Sequence, residues 1–214
     1  DFDGEYSLGL PEGKTAFFDL KGYTVSMGYI LQNHGNLTIM DSGNETTGAK
    51  GEFQTSATME NYGTLTLKDV AMSASTNVNL LDNKGSLIIS NSTLTALNGY
   101  VMEIKDGKSM TMDSTTTLKA NGYALLLTNP NPFTIKGGNI EGIYNKGNLT
   151  VKEGTNIKLA PSKGIAILNE ADSTLIMNST KEATVTLEVE RLKFTDGSGA
   201  PDCYSHISTI VIKK

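Results

Sequence analysis

Two carboxylates stand in matching places, Glu60 in Met59-Glu60-Asn61 and Asp82 in Leu81-Asp82-Asn83. If those segments lie over one another as adjacent strands, the two side chains point outward about 5 Å apart, the separation of a retaining glycosidase pair. Lys105 is expected in the equivalent place of the next unit, where it would offset the charge. Solvated acids beside a lysine are the plainer reading, catalysis by Glu60 and Asp82 the sharper one. Tyr100 and Tyr123 each follow a glycine and recur at one offset. Facing water they would offer an aromatic strip to sugar rings; facing inward they would be a core ladder. No Asp-x-Asp-x-Asp-Gly loop and no Gly-Gly-x-Gly-x-Asp repeat occurs, so neither a metal nor a cofactor is expected.

Those residues can meet only if a repeat brings them together. Leu31-Gln-Asn-His-Gly-Asn-Leu-Thr-Ile39 has the skeleton apolar, x, Asn, x, Gly, x, apolar, x, apolar. It returns at Met59–Leu67, Leu81–Ile89, Ile104–Met112, Leu127–Ile135 and Ile143–Val151, with a distorted copy ending at Leu175 and Met177. The first apolar residue after the turn is Leu37, Leu65, Leu87, Met110, Phe133, Leu149 or Leu175. The mean spacing of about 23 residues marks a solenoid, whose units bury their faces against their neighbours. Each unit carries a first apolar piece, the turn, an alternating second piece such as Leu37-Thr38-Ile39, and a third piece. The third pieces centre on Met72, Leu94, Leu118, Ile140, Ile157 and Val185. Alternation of period 2 means a strand with one buried face, and no window has helical periodicity. The expectation is an all-β, single-stranded parallel β-helix of about seven rungs with three short strands each. At about 4.8 Å per rung the rod would be on the order of 34 Å long.

The turn should hold a ladder of Asn33, Asn61, Asn83, Asn129, Asn145 and Asn169, with Asp106 in the same register. A carboxamide donates to one rung and accepts from the other, so stacked copies satisfy one another. Gly35, Gly63, Gly85 and Gly147 are expected to supply a positive φ just after it, with Asn131 as a substitute. Asp1 to Ala16 falls outside the pattern and reads as an N-terminal cap. Residues 17–194 form the rungs and 195–214 a closing segment, all within one domain. The first rung is lengthened by Ser42 to Lys50, and a late one shortened at Ile140-Glu141-Gly142-Ile143. A loop beside a dent would frame a groove, although indel drift alone explains both.

Composition narrows the function classes. Net charge is −5 with no basic block, which argues against a nucleic-acid partner. No run of 18 apolar residues offers a transmembrane helix. The lone Cys203 excludes an internal disulfide framework. A start at Asp1 without a signal peptide reads as a trimmed mature fragment, with signal and anchor elsewhere.

The Asn-x-Gly-x-Leu-Thr-Ile copies, with Asp19-Leu20-Lys21-Gly22-Tyr23-Thr24-Val25 ahead of them, resemble right-handed parallel β-helix repeats of the pectate-lyase-like superfamily. More narrowly they are similar to repeat regions of large secreted or wall-attached bacterial proteins, and to autotransporter passengers. The resemblance covers Phe17 to Phe194, and right-handedness comes from it alone. It implies an extracellular or cell-surface setting and, as partners, host or microbial glycans or surface proteins. Its enzymes use a calcium-binding acid cluster with a catalytic arginine, or an Asn-Thr-Asp, paired Asp and Gly-His-Gly pattern. Here Arg191 is the one arginine, and neither His34 nor His206 lies in such a setting. The expected function is therefore a non-catalytic spacer or adhesive surface. The alternative is a polysaccharide-binding or polysaccharide-degrading β-helix that uses Glu60, Asp82 and the tyrosines.

Overall fold

The computed structural model describes residues 7–75, 77–106, 109–170, 173–177, 185–188, 192–194, 203–205 and 209–212. Arg191, His206, Gly107 and most of 195–214 lie outside the described residues.

Alternation becomes burial strand by strand. In Asn36–Met40, Leu37 and Ile39 are buried while Thr38 between them faces out. The same rhythm runs through Thr64–Lys68 and Ser86–Ser90, where Leu65, Leu67, Leu87 and Ile89 are buried. Each such side chain contributes about 1.5–3 kcal/mol by leaving water. β-Branched outward residues suit the pleated, half-exposed face.

The strands stack into three parallel sheets and wind as a β-solenoid of about seven turns, consistent with a right-handed parallel β-helix. The first sheet begins Ser7–Leu10, Ile30–Asn33, Met59–Asn61, Leu81–Asn83, Met102–Ile104 and Leu125–Leu127, and ends with Ile143–Asn145 and Ile167–Asn169. The second runs from Thr15–Asp19 to Thr174–Met177, and the third from Val25–Met27 to Val185–Glu188. No helix is present among the described residues, and so none is long and apolar enough to cross a membrane. Leu37, Leu65, Leu87 and Met110 form one column, as the repeat requires. Phe53, Met72, Leu94, Leu118, Ile140 and Ile157 form another.

Several expectations change. Ser7–Leu10 and the first two residues of Thr15–Asp19 fall in the stretch read as a cap, and the two strands pair in parallel with Ile30–Asn33 and Asn36–Met40. From Ser7 onward, the stretch read as a cap is thus itself part of a coil. Opposite Ile157 stands Leu187 rather than Val185. At the far end Thr209–Ile212 runs antiparallel against Val185–Glu188, which ends the parallel order of the third sheet.

The largest correction concerns the turn. Asn83 pairs with Ile104, Ile104 with Leu127, and Leu127 with Asn145. Asp106 and Asn129 therefore sit two residues beyond the ladder register. In the second sheet Met110 likewise pairs with Ile135, not Phe133. A slip of two residues keeps every side chain on its face, so apolar patterning cannot exclude it. The ladder is split. Asn33 donates to Asn61 at 2.8 Å and Asn61 to Asn83 at 2.6 Å, Ile104 and Leu127 take the next two places, and Asn145 donates to Asn169 at 2.6 Å. Beside Ile104, Asn83 turns instead to the Gly85 carbonyl at 3.0 Å. In the slipped coils Asn131 bridges from its amide to Asn129 and from its side chain to Asp106.

The ladder glycines also differ from expectation. Gly35, Gly63, Gly85 and Gly147 are not among the positive-φ residues, and neither is Asn131. They are glycine because the coils touch there: a Cβ on Gly63 would stand 2.1 Å from the Gly35 carbonyl.

Candidate functional site

Strand order carries Gln32, Glu60, Asp82 and Glu103 into one outward row on the first sheet. Glu60 and Asp82 are neighbours, as their spacing implied. The third member is Glu103, not Lys105, because of the two-residue slip. Lys105 lies two places along the same strand face and reaches back, 2.5 Å to Asp82 and 3.6 Å to Glu103. The hydrogen bond to Asp82 is the main cause that raises the lysine pKa, against the opposing effect of burial.

Each carboxylate in the row is already engaged. Glu60 accepts from Gln32 at 2.9 Å and from the Tyr62 hydroxyl at 3.1 Å. Asn79 donates to both Asp82 and Glu103, at 3.3 and 3.1 Å, and Thr128 donates to Glu103 at 3.4 Å. Among the described residues no group of three or more His, Cys, Asp or Glu is placed to hold a metal. His34, set aside on sequence grounds, stacks on Tyr62 with ring centroids 4.4 Å apart, and the Lys84 ammonium lies 4.4 Å from the centroid of the same tyrosine ring. This is an exposed surface stack, not a catalytic dyad.

The concave feature lies around the corner from that row, where the third sheet passes into the first. Glu141 and Gly142 join Asn139–Glu141 directly to Ile143–Asn145, with Gly142 at φ 80°. A Cβ on Gly142 would stand 2.5 Å from the Ala160 Cβ and 3.0 Å from the Tyr123 ring, so glycine is what lets both close in. With no turn in that coil, the loop of the following one leans across the gap. The amide of Ser162 donates to the Asn121 carbonyl at 2.8 Å. Two adjoining hollows result. One, of about 310 Å³, is lined by the turns at Leu97–Tyr100 and Asn121–Tyr123 and by Ser162 and Lys163. The other, of about 430 Å³, continues over Lys119, Glu141 and Pro161.

Tyr100 and Tyr123 therefore meet at a groove, in one register. They are neither a bare strip nor a core ladder. Tyr100 is half-buried, whereas Tyr123 is 7% exposed and packs at 5.6 Å on Tyr144. Burial, with smaller contributions from neighbouring tyrosines, raises the Tyr123 pKa. Leu97 beside them is 62% exposed.

The expected frame of loop plus dent is only half realised. Ser42 to Lys50 folds at the corner between the second and third sheets, with Lys21 bound to Glu45 and Asn44 bonded to Ala49. It does not reach the dent, whose rim is the loop around Pro161 to Gly164. Sequence reasoning missed Glu103 and that rim. The one available signal was Glu141-Gly142, too short a link to contain a turn.

Fold and surface together define a parallel β-solenoid bearing an outward acidic row and a corner groove. Set against family models, curated proteins and solved structures, the chain finds no match in any of the three.

Proposed function

We propose that the chain is a non-catalytic extracellular repeat domain of a bacterial surface protein, a rigid spacer whose outer faces contact glycans or surface proteins. The observation that carries this reading is the state of the acidic row. Glu60, Asp82 and Glu103 are each held by neighbouring donors, and Asp82 is ion-paired with Lys105. A glycosidase pair needs one acid kept protonated beside the scissile bond and one free carboxylate opposite it. Here the carboxylates are tied to neighbouring donors, Asp82 to a lysine at 2.5 Å, and the row lies outside the groove.

A second reading is favoured by the groove itself: a polysaccharide-binding or polysaccharide-degrading domain of the pectate-lyase-like kind. The deciding experiment incubates the protein with acidic and neutral polysaccharides and follows new reducing ends and unsaturated uronides. The expected outcome is no turnover. Turnover that disappears in Glu60→Gln or Asp82→Asn overturns the non-catalytic reading.

A further inference from the structure

We propose that the corner groove is a binding site for a neutral saccharide chain, with the Tyr123 hydroxyl, unbonded within the described chain, as a hydrogen-bonding anchor. This rests on the reading of the domain as a non-catalytic contact surface.

Tyr123 is 7% exposed, and among the described residues its hydroxyl has no hydrogen-bond partner. With no partner inside the chain, that hydroxyl keeps its donor and acceptor capacity for water, or for a ligand hydroxyl that displaces the water. The ring lines the hollow of about 310 Å³, so a group entering from solvent can reach this residue. The void exists because one coil lacks its turn, and the Ser162–Asn121 bond holds its two walls together.

The lining states what fits. Leu97 and the Tyr100 ring offer apolar surface at the rim, suited to the C–H face of a pyranose. Asn98 and Asn121 bring carboxamides that both donate and accept, and neither side chain is hydrogen-bonded among the described residues. Hydroxyls are the ligand groups that match such partners. Lys119, Lys163 and Glu141 leave the lining a single net positive charge, and no arginine fork is among the lining residues to clamp a carboxylate, so a neutral chain is the better match. The two hollows share Leu97, Asn98 and Asn121 and are open to solvent, which suits several linked rings rather than one enclosed molecule.

Two substitutions test this without disturbing the fold. Tyr123→Phe removes only the unpaired hydroxyl. At Gly122, which lines the groove, an added Cβ meets no atom within 4 Å and φ is ordinary, so Gly122→Gln fills the space without backbone strain. The probes are neutral hexasaccharides (β-1,4-glucan, β-1,4-mannan, α-1,4-glucan) and, for contrast, hexagalacturonate, in calorimetric titrations. The expected result is saturable binding of a neutral probe, weakened about tenfold in Tyr123→Phe and abolished in Gly122→Gln, with thermal midpoints unchanged. No binding of any neutral probe, binding of hexagalacturonate alone, or binding that survives both substitutions overturns the groove assignment, and the spacer reading stands. Depolymerisation of a probe overturns the non-catalytic reading on which the assignment rests.

Discussion

A Cβ on Gly63 or Gly85 would stand 2.1 or 2.0 Å from the carbonyl of the glycine one coil before it, so these positions are fixed by contact. Gly63→Ala should cost about 3 kcal/mol or more, since the obstacle is backbone and no rotamer can move away. Gly122→Ala, in open space, should change the urea midpoint little and serves as the control. Asp41 shows the same dependence on backbone. It is fully buried, yet its carboxylate accepts from the amides of Gly22 and Gly51 at 2.7 Å and of Gly43 at 3.0 Å. Burial alone would raise its pKa; these amides and the charge of Lys50 outweigh it and hold the group below its ordinary value. Asp19, bonded chiefly to the Ser42 amide, is lowered to about 2. Both folded-state values lie below the unfolded ones, so their contribution is complete above an unfolded value of 3.8 and fades as pH falls toward 2. The protection factor of the Ser42 amide should therefore fall between about pH 4 and pH 2, and those of Gly22 and Gly51 should fall in acid too, ahead of the Leu65 and Leu87 strands. In Asp41→Asn the amide nitrogen would face a backbone donor, and the same amides should exchange faster at neutral pH.

At the scale of the strand and the turn, sequence and structure part at the two-residue slip. Alternation located most of the strands because Leu37-Thr38-Ile39 and its copies can bury only one face. It left register open where apolar residues occupy both candidate places, as at Met102 and Ile104 or Leu125 and Leu127. The asparagine ladder was legible at Asn33, Asn61 and Asn83, which pair in register, and misleading at Asp106 and Asn129, which sit two residues beyond it. Glu103 was hidden by the same slip. The groove was foreshadowed by the short Glu141-Gly142 link, but its rim depends on a loop crossing to a non-adjacent coil, which periodicity cannot show. Gly142→Ala should expose that dependence. The substitution strains φ 80° and drives a methyl into Ala160 and Tyr123. The expected loss is about 2 kcal/mol or more, with the Ser162 amide losing its protection first. Protection at Ser162 equal to the parent's would mean that the loop is held by something other than its close approach to Gly142.

Across the whole molecule, a solenoid has no single centre; apart from the Ser162 loop that reaches Asn121, each coil is covered by the coils on either side. The end coil shows what half that cover is worth. Leu8 and Phe18 hold the same register as Leu31 and Ile39, yet they are 59% and 39% exposed against 8% and 1% one coil further in. Along the rod Leu65, Leu94, Met110, Phe133 and Ile140 are fully buried. Equal side chains should thus be worth unequal amounts by position alone. Leu65→Ala should cost about 3 kcal/mol and Leu8→Ala less than about 1 kcal/mol, since little of Leu8 leaves water on folding. Native-state hydrogen exchange should give the same gradient, with strands such as Thr64–Lys68 and Ser86–Ser90 opening only near global unfolding. Ser7–Leu10 and Thr15–Asp19 should open at a fraction of that free energy. If exchange were instead uniform from Ser7 to Val151, the coils would be coupled beyond their nearest neighbours, and a stack of locally covered units would be the wrong description of this rod.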